Sequence, residues 1–86
     1  MSIRSDVYVN ELAVVEQGAR VGAGSSVWRH SHIRPEGVVG RDCMIGKNVY
    51  VDNGAVLGDR VTVQNNVSVY EGVTLEDDVF VGPSAV

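Results

Sequence analysis

A chain of 86 residues has room for one small domain, near the length at which a single core becomes marginal. Its net charge is −4 and Lys47 is its only lysine, which argues against a protein that binds along a nucleic-acid backbone. The single cysteine excludes an internal disulfide, no apolar run approaches the roughly 20 residues of a membrane-spanning helix, and the N-terminus lacks a signal-peptide core, so a soluble cytoplasmic protein is expected.

Taken in order, the chain keeps an apolar beat of six. It starts at Ile3 and runs through Val9, Val15, Val21, Val27, Ile33, Val39, Ile45, Val51, Leu57, Val63, Val69 and Leu75 to Val81, without insertion. Calling these the first place of each hexad, the fifth place runs from Val7 through Ser25, Ser31, Gly37 and Cys43 to Ala85. None of these 28 positions is charged or aromatic, although charged residues make up 21% of the chain. Neither the helical period of about 3.6 nor the strand period of 2 fits this spacing. A fixed six-residue period marks a stacked repeat, in which each unit buries its apolar face only against its neighbours.

Three hexads make one triangular coil of a parallel β-helix, so fourteen hexads give an all-β solenoid of about four and two-thirds coils. The first and fifth places point inward and the second and sixth outward. The third and fourth make the corners, where Gln17-Gly18, Ala23-Gly24, Asn53-Gly54 and Glu71-Gly72 supply turn chemistry. Residues eighteen apart then stack into files. One corner collects Glu11-Leu12, Arg29-His30, Lys47-Asn48, Asn65-Asn66 and Pro83-Ser84. The face after it carries Val14, His32, Tyr50 and Ser68 beside Glu16, Arg34, Asp52 and Tyr70. Both histidines, the only tryptophan and the only lysine lie on or beside this edge. Cys43, in a fifth place, reads as a small core residue rather than a nucleophile. Tyr8, Trp28, Met44 and Phe80 share the face before the corner and read as a subunit contact.

With the hexads in register, three blocks carry a resemblance: Val27-Trp28 with His32-Ile33, IGKNVYVDN at 45–53, and VQNNVSVYEGVTLEDDVFVGPS at 63–84. In these the chain resembles the left-handed β-helix acyltransferases of the hexapeptide-repeat superfamily, and within them the nucleotide-amino-sugar N-acetyltransferases. The resemblance implies a left-handed coil, a homotrimer, acetyl-CoA as co-substrate, an amino sugar carried on a nucleotide as acceptor, and a role in surface-polysaccharide biosynthesis. Such enzymes continue past the Gly-Pro-Ser block, so the domain at 1–86 is expected to correspond to the N-terminal part of one. The family commonly reads Trp-His-Phe where this chain has Trp28-Arg29-His30.

Acetyl transfer to an amine needs a proton acceptor and donors for the developing oxyanion, and His30 and His32 are the only imidazoles. Arg29, Arg34 and Lys47 suit a diphosphate or a sugar carboxylate. Asn65 and Asn66 suit a sugar or its amide, and Asn48 and Tyr70 complete the expected substrate-binding set. Each has a bland alternative: stacked histidines, solvated cations, and an asparagine ladder that only satisfies backbone groups. Two other functions stay open at this stage. One is a non-catalytic solenoid scaffold; the other is a metalloenzyme like the γ-class carbonic anhydrases, for which two histidines fall short of three zinc ligands.

Overall fold

The computed structural model describes residues 2, 3 and 6–84. Ala85 and the side chain of Ile3, both expected in the core, lie outside the described residues. Among the described residues every strand is two residues long, pairing the sixth place of one hexad with the first place of the next, and there is no helix. The strands form three parallel sheets. The first holds Ser2–Ile3, Arg20–Val21, Val38–Val39, Val56–Leu57 and Thr74–Leu75. The second holds Tyr8–Val9, Ser26–Val27, Met44–Ile45, Thr62–Val63 and Phe80–Val81. The third holds Val14–Val15, His32–Ile33, Tyr50–Val51 and Ser68–Val69.

The pairing register is eighteen residues throughout: Val14 faces His32, His32 faces Tyr50, and Tyr50 faces Ser68. The architecture is thus the expected left-handed parallel β-helix, and the files read from the sequence are the files of the molecule.

The corners explain why the period is six. The fourth place has positive φ from Gly18 to Ser84: four glycines (18, 24, 54, 72) and eight other residues, His30, Glu36, Asp42, Asn48, Arg60, Asn66, Asp78 and Ser84. In many corners the fifth-place N–H also donates to the second-place carbonyl, as from Ala19 to Glu16 at 3.0 Å and from Gly37 to Arg34 at 3.0 Å. A positive φ at the third of four residues with that bond is a type II turn, and Pro35 sits at the position where such turns favour proline. Asparagine and aspartate tolerate this backbone; for Glu36 and Arg60 it costs about 1 kcal/mol or more each.

The core is the first- and fifth-place ladder. Val27, Ile33, Ile45, Val51 and Val63 are fully buried, each contributing about 2 kcal/mol of apolar transfer. Three polar fifth places interrupt it, and all three are satisfied. Ser25 Oγ donates to Gly40 O (2.7 Å) and accepts from Cys43 N (2.9 Å). Ser31 Oγ does the same between Gly46 O (2.6 Å) and Val49 N (3.0 Å). The Cys43 thiol reaches Gly58 O at 3.1 Å. In the two serine cases the hydroxyl takes the place of the turn's own hydrogen bond in the coil above, stapling one coil to the next.

A second staple runs the other way. Asp59, Asn65 and Asp77, all at third places, accept with Oδ1 from the N–H of Arg41, Lys47 and Asp59, eighteen residues earlier, at 2.9, 3.0 and 2.7 Å. Each of these oxygens lies where the residue before that N–H would put a Cβ: 2.6 Å for Gly40, 2.6 Å for Gly46 and 2.2 Å for Gly58. Glycine in the second place and Asp or Asn in the third place of the next coil are therefore one feature. Two positions depart from the pairing: Gly22 lies under Arg41 and is closed off by the Gly40 and Arg41 backbone, and Asn53 lies above Pro35, which has no N–H to offer.

Candidate functional site

Where the second sheet turns into the third, the corner rises through Arg29-His30, Lys47-Asn48 and Asn65-Asn66 with no carboxylate on these three rungs. His30, Asn48 and Asn66 occupy the left-handed position, with φ of 62°, 55° and 63°. Their N–H groups donate to the coil below: to Leu12 O at 3.1 Å, Arg29 O at 3.1 Å and Lys47 O at 3.0 Å. The backbone alone thus gives a reason for asparagine at 48 and 66. Asn65 spends its carbonyl oxygen on Lys47 N.

Arg29, Lys47 and Asn65 line one groove together with Trp28, Met44 and Gly46, about 280 Å³ in volume. Gly46 has no side chain to fill its floor. Trp28 is 41% exposed and stacks obliquely on Tyr8, with ring centroids 4.9 Å apart. The groove therefore offers two cations and an indole beside each other. That combination suits an oxyanion carried on a flat or apolar body.

Beyond the corner, on the outer face of the third sheet, His32 belongs to a cluster that sequence reasoning placed together but did not connect. Its Nε2 lies 2.5 Å from Glu16 Oε2. The same oxygen lies 2.8 Å from Arg34 Nε, an ion pair without hydrogen-bond alignment. Arg34 Nη1 donates to the Tyr50 hydroxyl at 3.0 Å, and the Tyr50 ring meets the His32 ring edge-on, 5.6 Å between centroids at 80°. The four side chains form a closed circuit spanning three coils. The Tyr50 hydroxyl, and after it the charge on Glu16, hold the Arg34 guanidinium above its ordinary pKa. The signal for Glu16 was available: second and sixth places flank the same strand pair, so a sixth-place residue meets the second-place residue of the coil below, sixteen positions earlier.

Not all the expected residues come together. Arg29, Lys47 and Asn65 share the groove; His30, Asn48 and Asn66 share the corner but do not line it; His32 sits one face on. Tyr70, 53% exposed, lines a different recess of about 180 Å³ with Val67, Ser68, Val69, Val73, Leu75 and Val81. Cys43 is buried, and that burial pushes its thiol pKa up. Among the described residues no three His, Cys, Asp or Glu side chains gather to hold a metal ion, and no helix is long and apolar enough to cross a membrane.

Left-handed corners at six-residue intervals around a three-sided column define a hexapeptide-repeat β-solenoid. Within it, residues 38–71 match the family described as the hexapeptide repeat of succinyl-transferase, so this part of the chain is similar to a repeat found in acyltransferases. No curated protein matches the chain.

Proposed function

We propose that the protein is an acyltransferase module that moves an acetyl group from acetyl-CoA to the amine of a nucleotide-linked amino sugar, and that it works as a cytoplasmic homotrimer. The observation that carries this reading is the acid-free corner groove, with Arg29 and Lys47 beside Trp28. Both substrates carry phosphates, and the two cations stand one rung apart on the same file, so together they suit a diphosphate better than a lone carboxylate. The match of residues 38–71 supports acyl transfer as the class of chemistry. Exposed Tyr8 (47%) and Phe80 (64%) on the second sheet support burial of that face between subunits.

Acetyl-CoA supplies an activated thioester carbonyl. In this reading Arg29 and Lys47 hold the phosphate-bearing part of the acceptor, and the indole of Trp28 packs against its body. As the amine nitrogen bonds to the carbonyl carbon, His32 takes the amine proton; the carbon–sulfur bond breaks, its electron pair leaves with sulfur, and the proton returns to the thiolate. His32 is assigned this role over His30 because it has a carboxylate partner and His30 occupies a turn position.

The test is release of free thiol from acetyl-CoA in the presence of UDP- or dTDP-linked 3-amino sugars. Saturable turnover whose KM for the acceptor rises about tenfold or more in Arg29→Ala or Lys47→Ala is the expected result. Absence of acceptor-dependent thiol release across these sugars would remove the reading.

A further inference from the structure

We infer that Glu16 is a positioning residue that fixes His32 as its Nε2–H tautomer and so leaves Nδ1 as the atom that accepts the proton. The inference rests on the acyl-transfer reading for its catalytic meaning, and on geometry alone for the tautomer.

A carboxylate can only accept, so the short Nε2 contact to Glu16 Oε2 requires the proton on Nε2. Two further contacts keep that arrangement from being one choice among several. Arg34 Nε, 2.8 Å away, holds the same carboxylate oxygen in place. Arg34 is itself tied to Tyr50, whose ring edge packs on the imidazole and limits its rotation. The charged and titratable groups facing the imidazole are thus Glu16 and Arg34 from the neighbouring second-place file and Tyr50 from the coil above. With Nε2 engaged and 38% of the side chain exposed, Nδ1 is the nitrogen left for an incoming amine. The surplus proton of the amine goes to Nδ1 and then to the departing thiolate, and Glu16 stabilises the imidazolium in between without taking a proton itself.

The experiment uses the full chain labelled with ¹⁵N, with His30→Asn as background so that His32 is the only histidine; asparagine tolerates the left-handed backbone there. Two-bond ¹H–¹⁵N spectra near neutral pH are expected to show Nε2 protonated and Nδ1 bare. Glu16→Ala should give a mixture of tautomers, and Glu16→Gln, which keeps an acceptor oxygen, should restore a single one. In thiol-release assays with His30 intact, Glu16→Ala should lower kcat about 100-fold with KM nearly unchanged, and Glu16→Gln should recover part of it. A wild-type His32 protonated on Nδ1 or mixed, or a Glu16→Ala protein with the same tautomer as wild type, overturns the inference. So does a fixed tautomer that is lost in Glu16→Ala with no fall in kcat. If no amino sugar supports turnover, the acyl-transfer reading fails by itself, and the spectra still decide whether Glu16 sets the tautomer.

Discussion

The corner between the first and second sheets and the corner between the second and third have the same turns, and their side chains are used differently. At the first, which rises through Arg41-Asp42, Asp59-Arg60 and Asp77-Asp78, the side chains of Asp59, Arg60, Asp77 and Asp78 are engaged within the corner. Asp59 and Asp77 each reach down a rung to a backbone N–H, and Arg60 pairs with Asp78 at 2.7 and 3.2 Å. At the second, Asn65 makes the same downward bond, but Arg29 and Lys47 have no acid on their rungs and border a groove. One corner is closed on itself and the other is open to a ligand. Where every turn has the same geometry, the useful question is which side chains the backbone has not already used.

The largest expected effects come from filling a close approach. Gly40→Ala would place a Cβ 2.3 Å from Gly58 O at the closed corner, and this should lower stability by about 3 kcal/mol, read as the urea midpoint with the slope unchanged. If the midpoint holds, the staple is not as tight as described. Next comes Ser31→Ala beneath the open corner, which leaves Gly46 O and Val49 N without their bridge at a cost of about 1–3 kcal/mol. Equal stability to the wild type would mean that the turn recloses by itself. Arg29→Ala and Lys47→Ala should leave the urea midpoint alone while weakening acceptor binding, whereas Arg60→Ala should leave binding alone; calorimetric titration of all three variants tests whether the two corners really differ.

The smallest effect concerns acid. Arg60, through its hydrogen bond first, holds the Asp78 carboxyl below its ordinary value of 3.8. A lowered folded-state pKa gives stability that is present above 3.8 and is lost as pH falls through the lower folded value. This contribution, screened by solvent, should disappear from the acid limb of the pH–stability curve in Arg60→Ala.

Much of this was legible in the sequence, because one period fixes the whole fold. The files Val14–His32–Tyr50–Ser68 and Tyr8–Ser26–Met44–Thr62–Phe80 follow from counting eighteens, and the strand register reproduces them. Counting places Glu16 diagonally beside His32; what it could not give is whether the two side chains bond. Glu16 meets His32 by reaching across a rung and over two positions, a contact set by side-chain length and rotamer. Counting also could not say which polar groups were already engaged. Asn65 looked equally suited to a sugar or to the backbone, and its oxygen is on the backbone. The link between Gly40, Gly46 and Gly58 and the Asp or Asn one coil later was present in the letters but needed the stacked coordinates to be read as one feature.

The three-sided winding also separates two kinds of change in length. Losing or gaining six residues keeps the interior in phase, so such a variant can still fold, but everything downstream moves one edge around the column. A deletion of one hexad between Ser31 and Lys47 would carry Lys47 and Asn65 away from Arg29 and dismantle the groove without unfolding the protein. Only indels of eighteen preserve both interior and exterior, so natural length variation in such chains should come in whole coils where the surface matters and in single hexads where it does not.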